Sequence, residues 1–223
     1  MRNSTSFIAE LCKRYPPPNK PNSDFTDKDI AEFEKALGTE LPSDYYEFLK
    51  LYGYGSFNDY FYINYPFTEN GAEIFISENE ERKEDYDFLE LDSYNGNGGV
   101  PLFVDCKFVD GELTVTAGNA ELAEFLRAEK IDAYTRSKIT ALGDHYPYDF
   151  YPEDGGLIFI GYTDDEEFFL RFSDGKESIV MYSEGYYEFN MSFSEFVYGY
   201  LTQKIKLPMQ LEDNSEWEFC VYS

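Results

Sequence analysis

The stretch 38–57, which reads GTELPSDYYEFLKLYGYGSF, constrains the fold more strongly than any other part of the chain. A glycine and a Leu-Pro pair precede a run with apolar residues at helical spacing, and two further glycines follow it. Pro42 suits the first turn of a helix, where a missing N–H costs nothing. The positions i, i+3, i+4 and i+7 are predicted to form the buried face, and they are Tyr45, Phe48, Leu49 and Tyr52. Capping and packing explain every residue type here, so the stretch predicts scaffold and not a reactive site.

Apolar periodicity and capping residues predict four more helices. Thr26 is a favourable N-cap with Asp29 three residues later, and Gly38 can end the same helix in a left-handed conformation. Ser192 and Glu195 have the spacing of a capping box. The four helices are expected before Pro16, between Thr26 and Gly38, over 120–131 and after Ser192.

A period of two residues, typical of half-buried strands, dominates between these helices. The segment 78–92 carries eight acids and two bases, and we interpret it as a solvated excursion between strands. Asp110-Gly111 predicts a hairpin turn. Strands are predicted over 57–65, 72–77, 100–109, 112–116, 156–161, 167–172, 178–182 and 187–190, and at the alternating end 217–221.

The charge balance disfavours two classes of partner. Eighteen Lys and Arg stand against 44 Asp and Glu, which gives a net charge of −26 at pH 7. Such a chain repels nucleic-acid phosphates and anionic lipid, whereas it attracts a basic protein and speeds the encounter with it. The simpler interpretation, that acidity only confers solubility, stays open. Hydrophobic residues make up 43% of the chain, so a folded core is expected.

The three cysteines predict a reducing compartment. Cys12, Cys106 and Cys220 are far apart and form no CxxC pair, so they do not support a disulfide framework. The N-terminal residues lack the apolar core of a secretory signal. No run approaches the roughly 18 apolar residues of a membrane span. We therefore expect a cytoplasmic protein.

No pattern in the chain predicts a catalytic centre, a cofactor site or a metal site. His145 is the only histidine, so a metal centre or catalytic triad that uses several imidazoles has no support. The motifs GxSxG, HExxH and GxxxxGK[ST] do not occur. Carboxylates are so numerous that a pair suited to glycoside hydrolysis arises by chance at almost any spacing. A carboxylate-dependent hydrolase therefore stays an alternative without a specific signal.

Three segments follow one another in an order that resembles a known family. They are 30–57, 155–172 followed by ESIVMYS, and 191–201. This order is similar to the SUKH superfamily, in particular its yeast cell-wall-assembly-regulator-like branch. In that family a helix ending in Gly and a Leu-Pro pair lead into an aromatic-rich helix. The framework positions of the family correspond here to Gly38, Leu41, Pro42, Tyr45 and Phe48.

The resemblance implies an α+β fold with a central, mostly antiparallel sheet and helices packed against it. It implies a single domain over residues 1–223, in which the middle region, about 58–151, is longer than usual for the family. It also implies a non-enzymatic role. Many bacterial members look like immunity proteins, which bind and neutralise a toxin domain encoded next door, whereas eukaryotic members look like signalling or scaffolding proteins. The compact chain favours the bacterial type.

The candidate interface is a set of acidic loops with one tyrosine. Many toxin domains that attack nucleic acid are basic, and an acidic surface with aromatic side chains can occupy such a cleft. The residues predicted to bind the partner are Glu153, Asp154, Tyr162, Asp164, Asp165, Glu166 and Glu167. Two alternatives stay open: these residues are only solvated turns, or the surface belongs to a scaffold or regulatory interaction protein.

Overall fold

The computed structural model describes residues 4–94, 102–109, 112–117, 140–141, 148–173, 176–182, 185–205 and 217–222. The architecture is α+β, with helices packed against a central sheet, as the family resemblance implies. The predictions for a helix over 120–131, for the turn at Asp110-Gly111 and for His145 lie outside the described residues.

Five helices lie in the described part of the chain. They are α1 (Ser4–Arg14), α2 (Asp27–Leu37), α3 (Ser43–Tyr52), α4 (Gly71–Tyr94) and α5 (Phe193–Leu201). The start of α2 is a capping box, in which the Thr26 N–H donates to Asp29 at 2.7 Å and the Asp29 N–H donates to Thr26 at 3.4 Å. The predictions of α1, α2, α3 and α5 are confirmed. Pro42 differs slightly from its prediction, because it is the N-cap of α3 and not a residue of the first turn.

The described residues contain ten strands, which form one sheet. They are β1 (Gly55–Phe57), β2 (Phe61–Ile63), β3 (Leu102–Val109), β4 (Glu112–Ala117), β5 (Thr140–Ala141), β6 (Ile158–Tyr162), β7 (Glu167–Ser173), β8 (Lys176–Tyr182), β9 (Gly185–Phe189) and β10 (Phe219–Val221). Their spatial order is β10-β1-β2-β6-β7-β8-β9-β3-β4-β5. Neighbours are antiparallel except β3 with β9 and β4 with β5. The mostly antiparallel sheet is therefore confirmed.

The long middle region contributes strands to this same sheet. Within it, β3 pairs antiparallel with β4 and parallel with β9, and β4 pairs parallel with β5. The region thereby extends the sheet beyond β9. The candidate site lies towards the other end of the sheet, around β6 and β2.

Helices α1, α3 and α5 pack together through tyrosines whose hydroxyl groups are satisfied. The Tyr52 hydroxyl on α3 donates to the carbonyl of Tyr15 at 2.6 Å, just after α1. The Tyr15 hydroxyl in turn donates to the carbonyl of Leu201 at the end of α5, at 2.8 Å. Because each polar tip has a partner, these large rings are buried without the cost of an unpaired hydroxyl. Tyr52 of the scaffold stretch therefore contributes both its ring and its hydroxyl group to the packing of these helices.

The fourth helix overturns one prediction. The strand expected over 72–77 lies in α4, so that prediction is wrong, whereas the segment 78–92, expected as a solvated excursion between strands, is the continuation of the same helix between β2 and β3. Ile74 and Ile76 alternate with Phe75 as in a strand, yet over residues 71–83 of α4 the buried positions are Gly71, Phe75 and Asn79, four residues apart. Only Phe75 among them carries a large apolar side chain, so the sequence shows no helical apolar repeat.

Asn79 joins α4 to the sheet, because its side chain makes the hydrogen bonds to β6 that the backbone of a neighbouring strand would otherwise make. Strand β6 pairs with only two residues of β2 and has a register shift between Phe159 and Gly161. The Asn79 Oδ1 accepts a hydrogen bond from the Phe159 N–H at 2.6 Å, and its Nδ2 donates to the Phe159 carbonyl at 3.3 Å. Both backbone groups of Phe159 are thereby satisfied, and α4 is held beside the start of β6.

The strand predicted over 57–65 is two strands, β1 and β2, joined by a turn. Asn58 and Asp59 have φ angles of 54° and 51°, a left-handed conformation that these two residue types adopt more readily than most. The pair Phe57 and Phe61 closes the turn. Aromatic residues on both sides of the turn hide the break, so the prediction of one long strand is wrong.

Candidate partner-binding site

The turn between β6 and β7, residues 163–166, is held together by one threonine. The Thr163 N–H donates to the Glu166 carbonyl at 2.8 Å, and the Thr163 hydroxyl oxygen accepts from the Glu166 N–H at 3.0 Å. The same hydroxyl donates to Glu166 Oε2, and the Asp165 N–H donates to it at 3.3 Å. This local network is typical of Thr in turns and fixes the direction of the side chains that follow it.

Glu166 faces the protein interior. It is only 4% exposed, and its Oε2 also accepts a hydrogen bond from the Tyr200 hydroxyl on α5 at 3.1 Å. Burial raises the pKa of this carboxyl, while the hydrogen bonds from Thr163 and Tyr200 oppose the shift. Of the seven residues predicted to bind a partner, Glu166 therefore anchors the turn to α5 from the inside.

Asp164 and Asp165 form the outer side of the same turn. Both side chains are exposed. Within the described ranges, no Lys or Arg forms an ion pair with either carboxylate. These two charges are therefore open to a basic group from another molecule.

Glu167, the first residue of β7, is paired with α4. The Arg82 Nη2 lies 2.9 Å from Glu167 Oε1, and both side chains are mostly buried. The Arg82 guanidinium also lies over the Phe159 ring, 3.5 Å from its centroid. Arg82 thus ties the start of β7 to α4 and neutralises one carboxylate of the acidic turn.

Glu153 and Asp154 belong to a second loop that meets the same helix. The Lys83 Nζ lies 2.8 Å from Glu153 Oε1, and this pair lowers the pKa of Glu153. Asp154 is exposed. Because Arg82 and Lys83 are consecutive in α4, the structure brings both predicted acidic loops to one part of this helix.

Tyr162 stands at the edge of an open cleft. Its side chain is 40% exposed, and its ring stacks on Tyr62 of β2 with centroids 4.7 Å apart. The cleft has a volume of about 410 Å³. Its lining comprises Glu78, Arg82, Phe159, Tyr162, Thr163, the acids 164–167 and Tyr182. One open surface therefore combines unpaired carboxylates with an exposed aromatic ring.

Sequence reasoning missed the residues that α4 and β2 add to this surface. The sequence predicts a solvated excursion around Glu78 and Arg82 and a strand around Tyr62, and it indicates a binding role for none of the three. The alternation around Tyr62 already placed it on the face opposite Phe61, which was a usable signal. No signal of that kind identified Arg82, because its position depends on the docking of Asn79.

A second acidic pair, which sequence reasoning also missed, lies at the start of α5. Asp44 is 2% exposed and accepts a hydrogen bond from the Ser194 N–H at 2.8 Å. Glu177 accepts one from the Phe193 N–H at 2.8 Å. Burial, together with the charge of Asp44, raises the pKa of Glu177 to about 7. Both carboxylates therefore cap the positive end of α5.

Metal and membrane features can be assessed only for the residues that the structure describes. Among them, no group of three or more His, Cys, Asp and Glu side chains has an arrangement suited to a metal ion. No described helix combines the length and the apolar character that crossing a membrane requires.

The fold and this surface define a class: an α+β domain with an open, acidic and aromatic face suited to contact with another protein. Residues 24–199 match the model of the SMI1 / KNR4 family (SUKH-1), and the chain belongs to this family. The family is generally non-catalytic and is known for domains of the immunity-protein type. Comparison with curated proteins and with solved structures found no match.

Proposed function

We propose that this protein is an immunity protein, which binds a cognate toxin domain and neutralises it. The observation that carries the proposal is the β6–β7 turn, where Asp164 and Asp165 are exposed beside Tyr162 and have no basic partner in the described ranges. A net charge of −26 favours association with a basic protein. Membership of a family known for immunity-protein-type domains supports the same function.

The toxin is proposed to be basic and of the nuclease type. An enzyme that cleaves nucleic acid needs Lys and Arg in its cleft to hold phosphates. Carboxylates that enter such a cleft pair with these side chains, and a rigid tyrosine supplies apolar contact area at low entropic cost. The opposite charges speed the encounter, whereas the aromatic contact slows dissociation.

The seven predicted residues have two kinds of part in this proposal. Four of them are exposed without an ion pair in the described ranges and are proposed to touch the toxin: Asp154, Tyr162, Asp164 and Asp165. The other three have carboxylates that already bond within the protein, and they are proposed to hold the loops in place: Glu153, Glu166 and Glu167.

A hydrolase has weaker support from the same residues. It would need two carboxyls that face each other across a substrate pocket, one of them with a raised pKa. Glu177 has a raised pKa beside Asp44, but both side chains accept hydrogen bonds from the first amides of α5. The carboxylates of the cleft lie on an open turn. The proposal therefore assigns none of these acids a catalytic role.

The proposal places the protein in the bacterial cytoplasm, with the toxin encoded by the neighbouring upstream gene. Cys12 and Cys220 are free thiols, which is compatible with a reducing compartment. A scaffold or regulatory interaction protein would use the same surface but would need no toxin gene beside its own, so the test must include the toxin itself.

The experiment is a titration with the C-terminal domain of the upstream gene product, made inactive by mutation. Binding is measured at about 50 mM and about 300 mM NaCl, because screening at the higher salt weakens steering between exposed charges. We expect tight binding that weakens with salt and an association rate that falls about tenfold in Asp164→Lys/Asp165→Lys.

The matched control is Glu10→Lys/Glu40→Lys, which makes the same change in net charge at exposed residues of α1 and the α2–α3 connection. It should keep most of the association rate, because it leaves the β6–β7 turn intact. Absence of binding, together with failure to protect cells that express the active toxin, would reject the immunity function in favour of the scaffold. Salt-insensitive binding that the turn variant leaves unchanged would reject the acidic loops as the interface.

A further inference from the structure

A row of four tyrosines, Tyr54, Tyr222, Tyr62 and Tyr162, crosses one end of the sheet. The rings of Tyr62 and Tyr162 stack at 4.7 Å, with an interplanar angle of 9°. The rings of Tyr62 and Tyr222 lie 6.3 Å apart at 28°, and those of Tyr222 and Tyr54 lie 5.4 Å apart at 76°. Each of the four side chains is partly or largely open to solvent. The row is a continuous aromatic surface next to the acidic cleft.

Hydrogen bonds hold the tyrosine row in one conformation. The Tyr222 hydroxyl donates to Asp59 Oδ1 at 2.6 Å and also lies 2.6 Å from the Ser56 hydroxyl. The Tyr62 hydroxyl donates to the Asp59 carbonyl at 2.8 Å. Asp59 itself is fixed in the tight turn between β1 and β2. Rings that are already ordered lose little conformational entropy when a partner covers them, so this surface is preorganised for binding.

The row forms one wall of a groove, and the first turns of α4 form the other. The groove has a volume of about 220 Å³, and its lining includes Ile74, Glu78 and all four tyrosines. Ile74 is 51% exposed, the largest exposed fraction among the large apolar side chains of the described residues. Glu78 and Tyr162 line both this groove and the acidic cleft, so the two depressions adjoin.

We propose that the groove and the acidic cleft together bind one extended segment of a basic protein partner. A bulky apolar side chain of the segment packs on Ile74 and Tyr62, and a Lys or Arg a few residues away pairs with Asp164 and Asp165. Three strand spacings separate β10 from β6, or about 14 Å, which an extended segment of four or five residues spans. This inference rests on the proposed protein-binding function, but it does not require the partner to be a toxin.

Charge complementarity favours a basic peptide over single-stranded nucleic acid as the ligand of the groove and the acidic cleft. Single-stranded nucleic acid also stacks on tyrosines, but its phosphates would face Glu78, Asp164 and Asp165 in a chain of net charge −26. A basic peptide gains from the same charges. Arginine suits the site better than lysine, since its guanidinium pairs with carboxylates and stacks on an aromatic ring such as that of Tyr162.

The test starts from an unbiased set of peptides. The full chain is immobilised, and a phage library displaying random peptides of about twelve residues, longer than the segment required, is selected on it. We expect enriched sequences with an Arg or Lys three to five residues from a Trp, Phe, Tyr or Leu. Fluorescein-labelled copies of these peptides are then titrated with the variants Ile74→Ser, Tyr162→Ala and Asp164→Asn/Asp165→Asn.

Each variant has an expected effect and a control. Ile74→Ser and Tyr162→Ala should each weaken peptide binding about tenfold, as loss of a hot-spot contact does. Asp164→Asn/Asp165→Asn should remove most of the salt dependence. Val221→Ser is the apolar control, because Val221 is similarly exposed at 39% but points to the opposite face of β10 from Tyr222. Glu10→Gln/Glu40→Gln is the charge control.

The outcomes separate this site from the immunity function. Peptides without a basic residue, peptides whose binding survives both Ile74→Ser and Tyr162→Ala, or no enrichment at all would overturn the site. Peptide binding that follows the expected pattern, in a protein that binds no neighbouring toxin, would keep the site and reject the immunity function. Toxin neutralisation that the groove variants leave unchanged would keep the immunity function and overturn the site.

Discussion

Two groups of carboxylates in this protein differ in what their oxygens contact. At the start of α5, Asp44 and Glu177 accept hydrogen bonds from the backbone amides of Ser194 and Phe193, each at 2.8 Å. At the β6–β7 turn, the carboxylates of Asp164 and Asp165 point to solvent, and no basic side chain of the described residues pairs with them. The first group holds a helix end within the fold, and the second is open to another molecule.

The difference shows that the number of acids says little about function. With 44 Asp and Glu in the chain, acidic pairs arise everywhere, and only their partners distinguish them. A carboxylate with an internal donor contributes to stability, because removing it leaves that donor unpaired. A carboxylate without one is available for recognition, because a charge on a partner can still reach it. Mutations in the two groups should therefore change different quantities.

The largest effect on stability is expected for Asp44→Ala. The change removes the acceptor of the Ser194 N–H in a buried place, so we expect the free energy of unfolding to fall by about 2–4 kcal/mol. Chemical denaturation near pH 5.5, where Glu177 with its pKa of about 7 is mostly protonated, measures this loss without relief of repulsion between the two acids. Asp164→Ala serves as the exposed counterpart and should change the free energy by less than about 0.5 kcal/mol. Equal losses in the two variants would contradict the distinction between the groups.

The second effect is a pH dependence that comes from Glu177. Its pKa is raised from 4.5 to about 7 in the folded protein, so between these values the folded state holds a proton that the unfolded state has released. The stability that this proton provides is fully present below pH 4.5 and is lost as the pH rises through 7. The loss is on the order of 3 kcal/mol, from the size of the shift.

The variant Glu177→Gln tests whether Glu177 causes this pH dependence of stability. Glutamine keeps an acceptor for the Phe193 N–H but cannot ionise, so the fall in stability between pH 4.5 and 7 should become smaller. The variant should be more stable than the wild type above pH 7. Denaturation midpoints measured across this range provide the test, and a wild-type fall that persists unchanged in Glu177→Gln would assign the pH dependence to other groups.

The sequence predicts the parts of the fold in which local signals agree. In α3, the cap, the apolar spacing and the following glycine all indicate one helix, and the structure has it. In α4 the signals conflict, because Ile74 and Ile76 alternate as in a strand and the buried position at i+4 from Phe75 is the polar Asn79. The helix is held to the sheet by hydrogen bonds between Asn79 and Phe159, which are 80 residues apart in the sequence, so no local pattern reveals them.

The sequence likewise predicts only those features of the candidate site that depend on local signals. Turn composition identified the acidic loops, because short polar runs between strands are usually exposed. The sequence did not reveal that Arg82 and Lys83 of α4 contact both loops, since those contacts require α4 to exist and to dock on β6. It also did not reveal the stacking of Tyr62 on Tyr162, which depends on the register between β2 and β6. The sequence therefore predicts the composition of the acidic loops, but it does not predict which distant residues contact them.

The smallest of the three effects on stability concerns Glu166, which combines features of the two groups of carboxylates. It lies in the exposed turn by sequence, but its carboxylate accepts hydrogen bonds from the hydroxyls of Thr163 and Tyr200 inside the protein. Glu166→Ala should cost about 1–2 kcal/mol of stability, since it removes the carboxylate that accepts from the buried Tyr200 hydroxyl and from Thr163, and it should also weaken partner binding by loosening the turn.

Glu166→Gln separates these two consequences. Glutamine retains an oxygen for Thr163 and Tyr200, so the turn should keep its shape, and both the denaturation midpoint and partner affinity should stay close to the wild type. Asp164→Asn is the matched charge removal on the outer side of the turn, and it should lower the association rate without changing the midpoint. Glu166→Gln could instead slow association as much as Asp164→Asn does. In that case Glu166 would act on the partner through its charge, and the distinction between carboxylates with internal donors and exposed carboxylates would not hold in this turn.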